Sequence, residues 1–208
     1  MVMSDLLLVG GGGHARACID VLLADGKWGI RGIIETDGHQ GPSSLGYPVL
    51  GTDSDLEKLV DDRTPVFIAV GQLTSPAVRK ALHDRAHQSG AIFPAVQSPH
   101  AYVSPMANVG LGTIVMHGAI VNTRAQLGKQ CIINSQALIE HDAVLGDFCH
   151  VSTGALINGG ASIGAGCFIG SGAIVREGVR IGDDVVVGAG VRVMKDLPGG
   201  TLVKGVSS

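Results

Sequence analysis

The chain has 208 residues, 45% of them hydrophobic, 16% charged and 3% aromatic, with a net charge of −3 and a pI near 6.2. High apolar content at low net charge excludes a disordered chain, no apolar run reaches the ~18 residues of a membrane span, and the acidic pI offers no general attraction to nucleic acid. Met1–Asp5 lacks the basic start and apolar stretch of a secretion signal, so the expectation is a soluble cytoplasmic protein.

Leu6–Val9 reads as a short buried strand. It runs into Gly10-Gly-Gly-Gly13-His14-Ala15 and a helix over 14–25, with Ala17, Val21 and Leu22 on its inner face and Gly26 as C-cap. A second strand over 30–34 ends at Glu35. A short helix over 53–60, a strand over 66–70, a helix over 75–88 and a last strand over 91–95 follow. This alternation predicts a parallel sheet with helices on its faces.

Gly10-x-Gly12-x-x-Ala15, between a strand and a helix, has the form of a dinucleotide-binding turn, and Glu35 stands where a ribose-binding acid would. A tight turn needs its glycines whatever it binds, so a purely structural reading stands beside the functional one. Roughly 95 residues suit a mononucleotide better than the two halves of an NAD site. The helix N-terminus attracts a phosphate in either case.

From Val103 to Val193 every sixth residue is Val, Ile or Leu, sixteen positions without an insertion. Four residues after each comes a second inward column: Ala107, Thr113, Ala119 and so on to Ala173, then Val179, Val185, Val191 and Leu197. Glycine, at 32 residues about twice its usual share, crowds the positions between. A six-residue period fits neither a helix nor a flat strand. It fits a short strand plus a corner that tolerates φ > 0. Three units close an 18-residue coil, and coils stack through parallel ladders about 4.8 Å apart. Cys131, Cys149 and Cys167, spaced by 18, then form one inward column. They are expected to be reduced thiols packed as small apolar residues, as is Cys18 in the first helix.

This pattern resembles the hexapeptide acyltransferases, which implies a left-handed parallel β-helix. The resulting expectation is an α/β Rossmann-like half domain over 1–97 and a β-helix domain over 98–208. The β-helix joined to the glycine loop is similar to the sialic-acid and bacillosamine-pathway sugar O- and N-acetyltransferases. The likeness is carried by Gly10–Ala15, Ile33-Ile-Glu35, Phe67-Ile-Ala-Val-Gly71, Leu138-Ile-Glu-His141 and His150-Val-Ser-Thr-Gly154. It implies nucleotide-sugar contacts at Gly11, Gly12, Gly13, His14 and Glu35. Members of that group often have Asp-Asp where this chain has Glu35-Thr36.

Acetyl transfer needs a base, an oxyanion donor and a groove for the coenzyme arm. His141 stands two residues after an aliphatic, at a corner between Glu140 and Asp142, and Gly159 follows one coil on. The resemblance makes His141 the general base, Asp142 the group that orients it, and the Gly159 N–H the oxyanion donor. It places Gly159, Ser171 and Ala189 against acetyl-CoA, with Ser171 and Ala189 on another corner column, and His150 against acetyl-CoA or the acceptor amine. It also implies a homotrimer acting on a UDP-linked 4-amino sugar for surface glycan synthesis, with sialic-acid-type O-acetylation as the alternative. A nucleotide-binding scaffold is the non-enzyme alternative, and an NAD-dependent oxidoreductase a further enzyme reading that the small first domain disfavours. A γ-type carbonic anhydrase would need metal histidines, but His117, His141 and His150 lie 24 and 9 residues apart and lack that family's H-x₄-H pair, so no metal is expected. His117 is read as structural or interfacial, His39, His83, His87 and His100 as surface residues, and Lys195 as either a coenzyme phosphate contact or a solvated side chain.

Overall fold

The computed structural model describes residues 5–35 and 46–205; Thr36, His39 and the last three residues lie outside these. The chain forms two compact units. One is built from the described residues up to Gly71 together with Ala77–Val96, the other from Gln72–Pro76 and the described residues from Gln97 on.

The first unit runs β1 (Asp5–Val9), α1 (Gly13–Asp25), β2 (Gly29–Glu35), β3 (Val49–Thr52), α2 (Leu56–Leu59), β4 (Val66–Ile68) and α3 (Ala77–Gln88), with a single 3-10 turn at Asp53–Asp55 before α2. Its sheet is parallel in the order β3-β2-β1-β4. The continuous apolar run of β1 suits its central place, because a parallel strand covered on both faces buries every side chain; Leu6, Leu7, Leu8 and Val9 are fully buried. α1 buries Ala15, Cys18, Ile19, Val21 and Leu22, whereas Ala17, expected inside, is exposed. Gly26 caps it at φ 65°, donating to the Leu22 carbonyl at 3.1 Å. Burial pushes the Cys18 thiol up to about 12, the nearby Arg79 pulling the other way.

Three further local readings of the first half are corrected. β3 is an added edge strand whose four residues are too short to show a period. The strand expected over 91–95 is a single bridge between Ile92 and Pro65. Ile92 donates to Thr64 and accepts from Val66, but the next in-register donor would be Pro94, which has no N–H. His83 is buried rather than exposed, its ring stacked on Phe93 at 4.6 Å.

In the second unit each two-residue strand, up to the last coil, pairs with the strand 18 residues on. Asn108 faces Gln126 and then Val144, Ile114 faces Ile132 and then His150, and Ile120 faces Leu138 and then Leu156. The result is a prism of three parallel sheets. The first face carries Asn108, Gln126, Val144, Ser162 and Arg180 outward, the second Ile114, Ile132, His150, Phe168 and Val186, the third Tyr102, Ile120, Leu138, Leu156, Ile174 and Arg192. The repeating aliphatics fill the interior. They are buried from Val115 to Val193, and only Val103 and Val109, in the first coil, are partly open. Cys131, Cys149 and Cys167 are free, fully buried thiols in one column, each donating to a backbone carbonyl.

A third period marks the corners. From 112 to 190 every sixth residue has positive φ: eight glycines, plus Arg124, Gln130, Gln136, Asp142, Phe148 and Asp184. The repeat slips at its end. Leu197 bridges Ile181 and Leu202 pairs with Val186, offsets of 16 instead of 18. Leu197, expected in the column of small residues, therefore continues the aliphatic one. The Asp196 carboxylate takes the Arg180 N–H at 2.8 Å and its Nε at 3.1 Å across the shortened turn.

Candidate active site

His141 sits at the corner where the third face turns into the first. Its own N–H donates to Glu140 Oε2 at 3.0 Å, and Asp142 follows in the left-handed region at φ 59°. That conformation, tolerated by Asp because its short side chain bonds locally, brings Asp142 Oδ2 to 2.9 Å from His141 Nδ1. The other carboxylate oxygen meets Arg124 Nε at 3.0 Å, one coil earlier on the same corner. Both oxygens are thus engaged. The carboxylate fixes the ring with Nδ1–H toward Asp142, so that in the neutral imidazole it is Nε2 that presents the lone pair. The hydrogen bond to Asp142 raises His141 above its ordinary value against the opposing effect of desolvation, and the charges of Asp142, Glu140 and Glu177 add to the rise. The same bond, with Arg124, lowers Asp142.

Gly159 lies one coil on, under the imidazole. A Cβ at that position would stand 2.7 Å from His141 Cε1 and Nε2, so the ring occupies the space a side chain would need. At four other corners the N–H two residues after the aliphatic is taken by a side-chain oxygen: Lys129 by Asp147, Ser135 by Asn134, His141 by Glu140 and Ala165 by Asp183. The Gly159 N–H makes no hydrogen bond among the described residues, because Asn158 turns its amide to the Val175 carbonyl instead, at 2.6 Å. His141, Asp142, Gly159, Gly160, Glu177 and Gly178 line a cleft of about 340 Å³. An imidazole lone pair and an unpaired main-chain donor on one wall are what acyl transfer requires. Glu177 escaped the sequence reading, although its position was legible: 141, 159 and 177 are successive members of one 18-residue column.

Other expected contacts lie elsewhere on the prism. His150 points outward from the second face but is buried. Its Nδ1 donates to the Gln72 carbonyl at 2.6 Å, its Nε2 accepts from Asn134 Nδ2 at 3.1 Å, and Phe168 packs edge-on at 5.2 Å. Ser171 and Ala189 are exposed on the corner between the second and third faces, Ser171 Oγ 3.0 Å from Ser152 Oγ. Within one chain they are not brought to His141. His117 bonds Ser98 Oγ at 2.6 Å. Among the described residues no group of three or more His, Cys, Asp or Glu could hold a metal ion, and no helix is long and apolar enough to cross a membrane.

In the first unit the loop glycines divide by cause. Gly10 has φ 101° and a Cβ there would strike Val70; a Cβ on Gly11 would run into the Glu35 carboxylate. These two are demanded by the fold. Gly12 and Gly13 have neither positive φ nor any atom within 4 Å of a built Cβ, so the protein itself does not require them. Gly12 is the N-cap of α1, whose first turn has neither a side-chain cap nor an acid, leaving its N–H groups and dipole to an anion. His14 lies beside Gly71. Glu35 is buried with Oε1 lacking a hydrogen-bond partner.

Known proteins match this arrangement. Residues 5–86 match the PglD N-terminal domain and residues 160–195 the bacterial transferase hexapeptide (six repeats). PerB from Caulobacter crescentus, solved with CoA and GDP-perosamine, is 36% identical over 97% of this chain and 94% of that chain, with a TM-score of 0.88. The chain belongs to the hexapeptide-repeat acetyltransferases with a PglD-type N-terminal domain. Another solved member, the acetyltransferase domain of PglB from Neisseria gonorrhoeae FA1090 with acetyl coenzyme A, is 32% identical, covering 99% and 97% at a TM-score of 0.88. WeeI from Acinetobacter baumannii AYE is 25% identical, covering 98% and 97% at 0.84. A comparison with curated proteins gives no match. The family fold is the left-handed parallel β-helix behind a small Rossmann-like domain.

Proposed function

We propose that the protein transfers the acetyl group of acetyl-CoA to the amino group of a nucleotide-linked 4-amino-4,6-dideoxy sugar destined for a surface glycan. The observation that carries this reading is the His141–Gly159 pair, an oriented imidazole lying on a glycine whose N–H is unpaired. The neutral amine attacks the thioester carbonyl carbon and forms the C–N bond. His141 Nε2 takes the proton the amine sheds. The Gly159 N–H receives the oxyanion. Collapse breaks the C–S bond, and the proton leaves with the coenzyme A thiol. Asp142 keeps the imidazole in the right tautomer and balances its charge while it is protonated.

The acceptor's nucleotide is held by Gly12, Gly13 and the α1 N-terminus at its diphosphate, with His14 and Glu35 alongside. The family resemblance points to uridine, the Caulobacter relative to guanosine. Support for the donor comes from the relatives solved with CoA and acetyl coenzyme A. Ser171 and Ala189 contact the coenzyme, while His150, buried with both ring nitrogens bonded within the chain, holds the wall of the second face; the working molecule is a homotrimer in the cytoplasm. The third face supports a trimer: Tyr102, Ile120, Leu138, Leu156 and Ile174 make an outward stripe without a charge, and the first two are 56% and 40% exposed.

The test is release of free thiol from acetyl-CoA in the presence of UDP-, GDP- and dTDP-linked amino sugars. Turnover with one of these is expected, and His141→Ala should lower kcat about 100-fold or more, the scale of a lost general base. Absence of turnover with the whole panel, or near-normal kcat in the variant, would reject the reading. A histidine variant of the Caulobacter enzyme holds both CoA and GDP-perosamine, so binding should survive here too.

A further inference from the structure

We propose that Glu177 is a coenzyme-binding residue whose carboxylate accepts the hydrogen bond of the pantetheine amide N–H nearest the sulfur, setting the thioester carbonyl over Gly159. The proposal rests on the acetyl-CoA reading above and adds a contact that reading does not contain.

The cleft is an open wall of three successive corners. His141 stands at one end, Gly159 in the middle and Glu177 at the other, with Gly160 and Gly178 beside them. A Cβ on Gly160 or Gly178 would meet nothing within 4 Å, so no side chain separates the imidazole from the carboxylate. Of the acids near the imidazole, Asp142 is committed to His141 and Arg124, and Glu140 to the His141 N–H. Glu177 is exposed and makes no hydrogen bond or ion pair among the described residues. It is an acceptor in the cleft with its capacity unspent.

The distances suit one donor. Consecutive corners are one ladder spacing apart, about 4.8 Å. In an acetyl-CoA thioester, four single bonds separate the carbonyl carbon from the nitrogen of the first amide, which when extended is again about 5 Å. With the carbonyl oxygen on the Gly159 N–H and the nucleophile on the His141 side, an arm running toward the later coils brings that N–H level with Glu177. Ser171 and Ala189, the expected contacts to the rest of the arm, also lie toward the later coils. An ammonium acceptor would be on the opposite side of the thioester, beside His141, so Glu177 serves the donor and not the sugar.

The test compares S-acetyl-N-acetylcysteamine, which keeps this amide N–H, with its N-methyl counterpart, which lacks it, and measures CoA binding by calorimetry. The wild-type protein should prefer the N–H thioester by about tenfold or more in kcat/KM, the scale of a hydrogen bond to a charged group. Glu177→Ala should abolish the preference and weaken Kd for CoA by a similar factor, while Glu177→Gln, which keeps an acceptor oxygen, should retain most of both. An unchanged preference and unchanged Kd in Glu177→Ala would overturn the proposal. So would a variant whose only change is the pH profile of kcat, because Glu177 would then act through His141. The CoA Kd reads out without turnover, so failure of the acetyl-transfer reading shows separately, as no thiol release by the wild-type protein.

Discussion

At the scale of single residues, the proposed chemistry depends on how Asp142 is held. An L-residue at φ 59° is costly unless its side chain repays the strain locally, and here both carboxylate oxygens are used, on His141 and Arg124. Asn accepts the same backbone conformation and nearly the same shape, so Asp142→Asn isolates the charge. As the proposed base His141 must be neutral, and its folded pKa is raised mainly by Asp142. Activity of the wild-type protein should therefore rise with pH through a value above the ordinary 6.5 of the imidazole. Without the carboxylate the pKa falls, so the acid limb of the kcat/KM profile should move to lower pH while the plateau drops for want of orientation. A limb that stays put or moves up would show that Asp142 does not govern His141. Gly159 offers the complementary check. Gly159→Ala keeps the N–H but places a methyl where the ring lies, 2.7 Å from two of its atoms. The imidazole is exposed and can swing aside, so the fold should survive while kcat falls about 100-fold, as expected for an ångström-scale misplacement. Intact activity in that variant would mean the ring does not work from this position.

At the scale of elements, the corners explain why so much was legible in the sequence. Each hexad states its inward aliphatic, and the 18-residue sum places His141 above Gly159 without a long-range contact having to be guessed. The residues that hid from the period are instructive. Gln130, Gln136 and Phe148 share the left-handed corner position with eight glycines, and nothing in their identity announces it. The two-residue shortening near Met194–Asp196 leaves the spacing of hydrophobics intact while changing which column Leu197 enters, so only the ladder reveals it. In the first unit, β3 depends on pairing with β2 rather than on its own four residues, and His83 is hidden by Phe93, a tertiary packing no local pattern carries. Gly154 separates backbone cost from packing cost. It has φ 65° and nothing within 4 Å of a built Cβ, so Gly154→Ala should cost about 1–2 kcal/mol from the left-handed conformation alone, and Gly154→Asn clearly less. Urea denaturation of both variants checks this; equal losses would show that something other than φ selects glycine there.

At the scale of the whole molecule, one chain carries the two halves of the proposed site on different corners. His141, Asp142 and Gly159 stand on one edge of the third face, Ser171 and Ala189 on its other edge, and the apolar stripe runs between them. A cyclic assembly joins unlike edges of neighbouring copies, so burying this stripe against the next chain would bring one protomer's histidine corner to its neighbour's coenzyme corner. Leu156→Glu, in the middle of the stripe, should then yield monomers by sedimentation and lose activity together. The sharper test is complementation. Chains with His141→Ala and chains with Ser171→Trp, each inactive alone, should on co-expression recover about a quarter of wild-type activity, because random assembly pairs one intact edge with another at one interface in four. Recovery requires the site to draw on two chains. If the mixed trimers stay as inactive as the separate variants, each chain must complete its own site, and the coenzyme contacts expected at Ser171 and Ala189 would have to be sought on the histidine corner itself.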